Sequence, residues 1–181
     1  MLAFATAFAA VLLLGMGARD QVLVAGLVLR LGKRISLLFT VLMASILAST
    51  LAVWAGQALA AYVPPSWQPL MPGFALILAG LEMMRRAPGS ALEEPTRSLG
   101  AMGLAAFMVQ MFDAARIVLF GLALGAALPF AVLFGLVAGA CVSVCLGWRG
   151  GGCLLSYPLR RWRRIAGILV AAAGTLALIL R

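Results

Sequence analysis

The sequence predicts an all-α integral membrane protein: six transmembrane helices arranged as two inverted three-helix repeats. Three observations lead there. Of 181 residues, 65% are hydrophobic and 10% are charged, with a mean hydropathy of +1.12. Soluble domains average about 45–50% apolar and about 25% charged residues, and so few charges cannot cover a water-facing surface of this size. The apolar runs are also continuous, as over residues 35–61. A membrane barrel would alternate with period two, so helices satisfy the backbone in lipid. Finally, basic residues alternate from loop to loop, numbering three, none, three, none and five. Six helices produce that pattern when the first, third and fifth loops face the cytoplasm.

The elements follow in order. The first hydrophobic segment covers residues 2–29 and is interrupted by Arg19-Asp20. No Lys or Arg precedes it, so it lacks the basic start of a cleaved signal peptide and is expected to be the first span. Arg30, Lys33 and Arg34 make the first loop. The second segment is 35–61, followed by a proline-rich turn at 62–69. The third is 70–84, and a polar loop follows at 85–98, with Arg85, Arg86 and Arg97. The fourth covers 99–128 and contains Asp113 and Arg116; Pro129 marks a turn. The fifth is 130–146, a glycine-rich loop is expected at 147–158, and the sixth is 165–180. The third and sixth are shorter than the roughly 20 residues of a span. Arg85, Arg86, Arg163 and Arg164 are expected to snorkel to the interface. The organisation is thus a first repeat at 1–86, a cytoplasmic linker at 87–98 and a second repeat at 99–181, with both termini outside a bacterial-type inner (plasma) membrane.

The repeat rests on spacing. Asp20 and Asp113 are 93 positions apart, and Gly80 and Gly174 are 94 apart. Each half holds three segments, an odd number, so the second half inserts upside down, a common plan in secondary transporters.

Charges within the segments carry the functional reading. Arg19, Asp20, Asp113 and Arg116 each cost about 2.5–3.5 kcal/mol at a helix centre, so they are expected to face inward and pair. Gln110, Asp113 and Arg116 share a broad helix face, as do Gly17 and Asp20. Arg19 is rotated about 100° from Asp20. Two acids meeting at a pseudo-twofold axis suit a hard cation or a proton relay. The alternative is two closed pairs, Asp20 with Arg116 and Arg19 with Asp113, that pin helices and bind nothing. Ser45 and Ser49 are weaker path-lining candidates. Gly121/Gly125 and Gly135/Gly139 have the spacing of close helix contacts. Glu82 is expected to pair with Arg85 and Arg86 at the interface, and Glu93 and Glu94 to be solvated. Cys141, Cys145 and Cys153 are too few for a disulfide framework, and with no histidine a zinc site is not expected. The net charge of +9 is read as loop charge meeting anionic lipid, without nucleic-acid binding. No nucleophile–base pair is visible, so no enzymatic activity is expected.

These residues resemble the GDT-type cation/proton exchangers of Golgi and bacterial membranes, over nearly the whole chain. Those proteins have two inverted three-helix repeats, each with the motif Glu-x-Gly-Asp-Lys-(Ser/Thr). The first motif falls on Gly17-Ala18-Arg19-Asp20-Gln21-Val22 and the second on Gln110-Met111-Phe112-Asp113-Ala114-Ala115. The basic lead into the last helix, Pro158 to Gly167, also looks like the family's. The resemblance implies exchange of manganese or calcium for protons, with Asp20 and Asp113 as metal ligands. Gln110, Gly17 and Gln21 would be further ion- or proton-binding positions, and Arg19 and Arg116 internal countercharges. Only the aspartates of the motifs remain, so the implied site is eroded. The implied partners are the bilayer, a divalent cation and a proton, with no cofactor beyond the transported ion. The sequence leaves open a rival, a non-transporting membrane scaffold in which internal Asp–Arg pairs replace the ion site.

Overall fold

A computed structural model describes residues 2–85, 98–125 and 130–180. Among the described residues the chain forms eight α-helices and no strand. They are α1 (Leu2–Gly15), α2 (Arg19–Leu31), α3 (Ile35–Ala60), α4 (Met71–Arg85), α5 (Leu99–Met111), α6 (Ala114–Gly125), α7 (Phe130–Leu155) and α8 (Leu159–Ile179). A 3₁₀ turn, Gln68–Leu70, leads into α4 and places Pro69 in its first turn, where a missing N–H costs nothing. The expected linker and the turn at Pro129 lie outside the described residues, apart from Ser98, whose side chain caps α5 by accepting from Ala101 N–H at 3.4 Å.

Among the described residues, three helices are long and apolar enough to cross a membrane: Ile35–Ala60, Val132–Leu155 and Leu159–Ile179. Two bent pairs bring the number to five if each counts as one span. α1 and α2 meet at 58°, and α5 and α6 meet at 59°. The first and fourth hydrophobic segments are therefore broken at their charged residues rather than continuous. The apolar stretch Gln68–Met84 is shorter than a span.

Two boundaries differ from the sequence reading. The glycine-rich loop expected at 147–158 is mostly helical, because α7 continues past Leu146, kinks at Gly151 (φ 44°, ψ −125°) and resumes as helix to Leu155. Glycine disfavours helix by about 1 kcal/mol relative to alanine, but here packing decides. A Cβ on Gly147 would lie 3.0 Å from the Gln21 backbone, so the small residue lets α7 press against α2. The sixth segment is also longer than expected. α8 starts at Leu159 and absorbs the basic stretch.

Packing is glycine-mediated at several crossings. On α4 and α8, a Cβ on Gly80 would lie 2.5 Å from the Gly167 carbonyl oxygen, and one on Gly174 would lie 2.7 Å from that of Gly73. These two crossings, Gly73 with Gly174 and Gly80 with Gly167, make the helices antiparallel. Gly135 and Gly139 seat α7 against the α1 backbone at Phe4 and Phe8, while Gly121 and Gly125 seat α6 against Ala75 and Pro72 of α4. Beyond these, α2 packs on α7, and α3 packs on α5, α6 and α7. One apolar cluster centres on Val11, Leu119 and Leu136, and a second on Val24, Leu37 and Val144. The polar centre joins elements from both.

Candidate ion site at the broken helices

Both helix breaks are built to turn a carboxylate inward. Between α1 and α2, Gly17 adopts φ +66°, a left-handed conformation that costs glycine little. Its N–H donates to Gln21 Oε1 at 2.8 Å. Gln21 Nε2 donates to Ser143 O at 3.0 Å and to Ser143 Oγ at 2.9 Å, and Ser143 Oγ donates in turn to Gly15 O at 3.2 Å. The break is thereby braced against α7. It starts α2 so that Asp20 falls in the first turn, with Oδ1 accepting from Gln21 N–H at 2.8 Å. Between α5 and α6, Asp113 occupies the cap position of α6, and Oδ2 accepts from Ala115 N–H at 3.4 Å. Each acid sits at the positive end of a helix dipole.

Arg116, one turn into α6, joins them. Its Nη1 lies 3.6 Å from Asp20 Oδ2 and 3.9 Å from Asp113 Oδ2. Its Nη2 donates to Ser45 Oγ at 2.6 Å and to Gln110 Oε1 at 3.1 Å. A second guanidinium extends the chain. Arg163 Nη2 of α8 lies 3.6 Å from Asp113 Oδ1 and 3.0 Å from Glu82 Oε2 of α4. Asp20, Asp113, Arg116 and Arg163 are at most 2% exposed. Alternating charges thus run Asp20–Arg116–Asp113–Arg163–Glu82 through α2, α6, α8 and α4. Desolvating such groups costs several kcal/mol per ion, and placing each one beside an opposite charge offsets that cost.

The expected residues divide into two sets. Asp20, Asp113, Gln110 and Arg116 come together. The nitrogen that lies within 4 Å of both aspartates belongs to Arg116. Gln110 gives its carbonyl oxygen to that same guanidinium, and its Nε2 has no hydrogen-bond partner. Gln21 and Gly17 brace the break instead, with the Gln21 amide turned toward α7. Arg19 is half-buried and forms no ion pair among the described residues; its rotation from Asp20 carries it off the inward face. Arg163 takes the place expected for Arg19 beside Asp113.

Two members were missed by sequence reasoning. Arg163 does not snorkel to the interface, because it shares the buried stripe of α8 with Gly167 and Gly174, which packs on α4. Glu82 is buried and faces Arg163. A signal was present for each. Arg163, Gly167 and Gly174 keep one helical face, and Glu82 is a lone acid between Leu81 and Met83 on an apolar helix. Among the described residues, no group of three or more His, Cys, Asp or Glu side chains is arranged to hold a metal ion.

A cavity of about 610 Å³ between α3, α4 and the α5–α6 break is walled by Leu51, Leu78, Phe112 and Phe120 and reaches Glu82 and Arg116. Residues 3–91 match the family model described as divalent cation/proton antiporter GDT1. No curated protein and no solved structure matches the chain.

Proposed function

We propose that this chain, whose residues 3–91 place its first half in the divalent cation/proton antiporter GDT1 family, is a multi-pass membrane transporter of the cation/proton exchanger type with an altered ion site. One observation carries the reading: two broken helices deliver Asp20 and Asp113 to the same nitrogen of Arg116. Substrate sites of secondary transporters lie where discontinuous helices of two repeats meet. In this reading Arg116 is a tethered cation. It occupies the position that a free ion takes, and an incoming manganese or calcium ion has to displace it. The motif positions held by Gly17 and Gln110 leave two carboxylates, and fewer ligand charges weaken the hold on a hard cation.

The reading takes the chain as six spans in two inverted repeats, with α1–α2 and α5–α6 each counted as one broken span and α4 as a short one. The two bends differ by a degree. Gly73 and Gly80 have counterparts 94 positions on, Gly167 and Gly174. Exchanging each glycine for its counterpart turns the Gly73–Gly174 crossing into the Gly80–Gly167 crossing, as a twofold axis in the membrane plane requires. The pairs α1·α7 and α5·α3 correspond in the same way, as do α2·α7 and α6·α3; α4·α6 has no equally close α8·α2 counterpart. Lys33 in the first loop donates to Arg149 O at 3.2 Å, which suits first and fifth loops on one side of the membrane. With those loops cytoplasmic, both termini lie outside a bacterial-type inner membrane.

The closed run of ion pairs favours a second reading, a non-transporting scaffold that has exchanged its ion site for internal Asp–Arg pairs. Asp113→Asn separates the two. For a transporter, the unaltered protein carries manganese-driven proton flux in proteoliposomes, and an equal amount of folded Asp113→Asn protein carries none. For a scaffold, wild-type protein carries no flux, Asp113→Asn lowers the yield by stranding Arg116, and adding Arg116→Gln restores it.

A further inference from the structure

We propose that the first two turns of α8 bind an anionic phospholipid, with its headgroup on Arg160, Arg161 and Arg164 and its acyl chains in two apolar cavities that flank Trp162. The Trp162 side chain is 66% exposed and lines both cavities, as does Met16. One cavity, about 470 Å³, lies between α1, α4 and α8 against Leu13, Leu76, Met83 and Ala166. The other, about 440 Å³, lies among the α1–α2 break, α7 and the start of α8 against Leu146, Leu154 and Tyr157. Two hydrocarbon-lined recesses on either side of one indole suit a molecule with two chains.

Charge decides the headgroup. Arg160, Arg161 and Arg164 are all exposed on these two turns. The acids among the described residues, Asp20, Glu82 and Asp113, are all buried, so among the described residues no acidic side chain competes for these three guanidiniums. Arginine clusters beside a span hold anionic headgroups, and exposed Trp162 and Tyr157 mark headgroup depth. A zwitterionic lipid would bring its own cation against three arginines. The inference needs only that the chain lies in a bilayer, so it stands or falls apart from the transport reading.

The test is fluorescence of the full chain in phosphatidylcholine vesicles doped with acyl-brominated phosphatidylglycerol or acyl-brominated phosphatidylcholine. Subtracting the Trp162→Phe signal isolates Trp162. Half-maximal quenching is expected at an at least about fivefold lower fraction of the phosphatidylglycerol. Arg160→Gln/Arg161→Gln/Arg164→Gln should erase that preference, and Ala166→Phe, which fills one cavity, should weaken quenching by either lipid. High salt should erase the preference in the unaltered protein, which keeps the test decisive if the triple variant does not fold. Equal quenching by the two lipids overturns the proposal, as does a preference that survives both salt and the triple variant. Reversal of quenching by inorganic phosphate identifies a free-phosphate site and overturns the lipid.

Discussion

Arg116 Nη1, at 3.6 Å from Asp20 and 3.9 Å from Asp113, is beyond good hydrogen-bond length from either acid. Its tight contacts are to neutral groups, Ser45 Oγ and Gln110 Oε1. The guanidinium is therefore fixed by neutral partners and attracted by the charged ones, and the charged ones are the easier to part. Removing one partner of a buried ion pair costs about 3–5 kcal/mol. Asp20→Asn should consequently lower stability by about that amount, and Asp20→Asn/Arg116→Gln should recover most of it, with thermal denaturation in detergent as the measurement. Equal stability of the Asp20→Asn variant and the unaltered protein would show that the pair carries no weight. At this scale the sequence was informative where a charge interrupted an apolar run: Asp20, Asp113 and Arg116 stood out. Arg163 did not, because four arginines crowd positions 160–164 and only the packing of α8 on α4 selects the one that turns inward.

Helices break, cross and end here according to where backbones must approach. The α4·α8 crossing has no room for a side chain: a Cβ on Gly80 would meet the Gly167 carbonyl oxygen at 2.5 Å. Gly80→Leu should destabilise by at least about 1–3 kcal/mol, the usual cost of overpacking, and should also move Arg163 away from Glu82, since both contacts belong to the α4·α8 pair. Thermal denaturation checks the first effect, and loss of additivity between Gly80→Leu and Arg163→Gln checks the second. Most helices could be read from apolar runs alone. The bends could not, because hydropathy averages across Met16-Gly17-Ala18 and across Phe112 without registering a turn. Nor could the extent of α7, where glycine content argued for a loop and contact with α2 overrode it.

Across the molecule, the alternation of basic loops and the paired glycine crossings point to one topology, and the three cysteines give a way to check it. Cys153 is exposed near the end of α7, while Cys141 and Cys145 are partly buried. With Cys141 and Cys145 replaced by alanine, a membrane-impermeant maleimide should label Cys153 in inside-out vesicles and leave right-side-out vesicles unlabelled. The opposite pattern would reverse the orientation. The proposed function sets a guanidinium where an exchanger would hold its ion, and manganese binding to Arg116→Gln, measured by calorimetry on folded protein, tests that most directly. Without the tethered cation, affinity should rise at least about tenfold over the unaltered protein, because the two acids regain their net charge, and adding Asp113→Asn should abolish the gain. Unchanged manganese affinity in a folded Arg116→Gln variant would contradict the account.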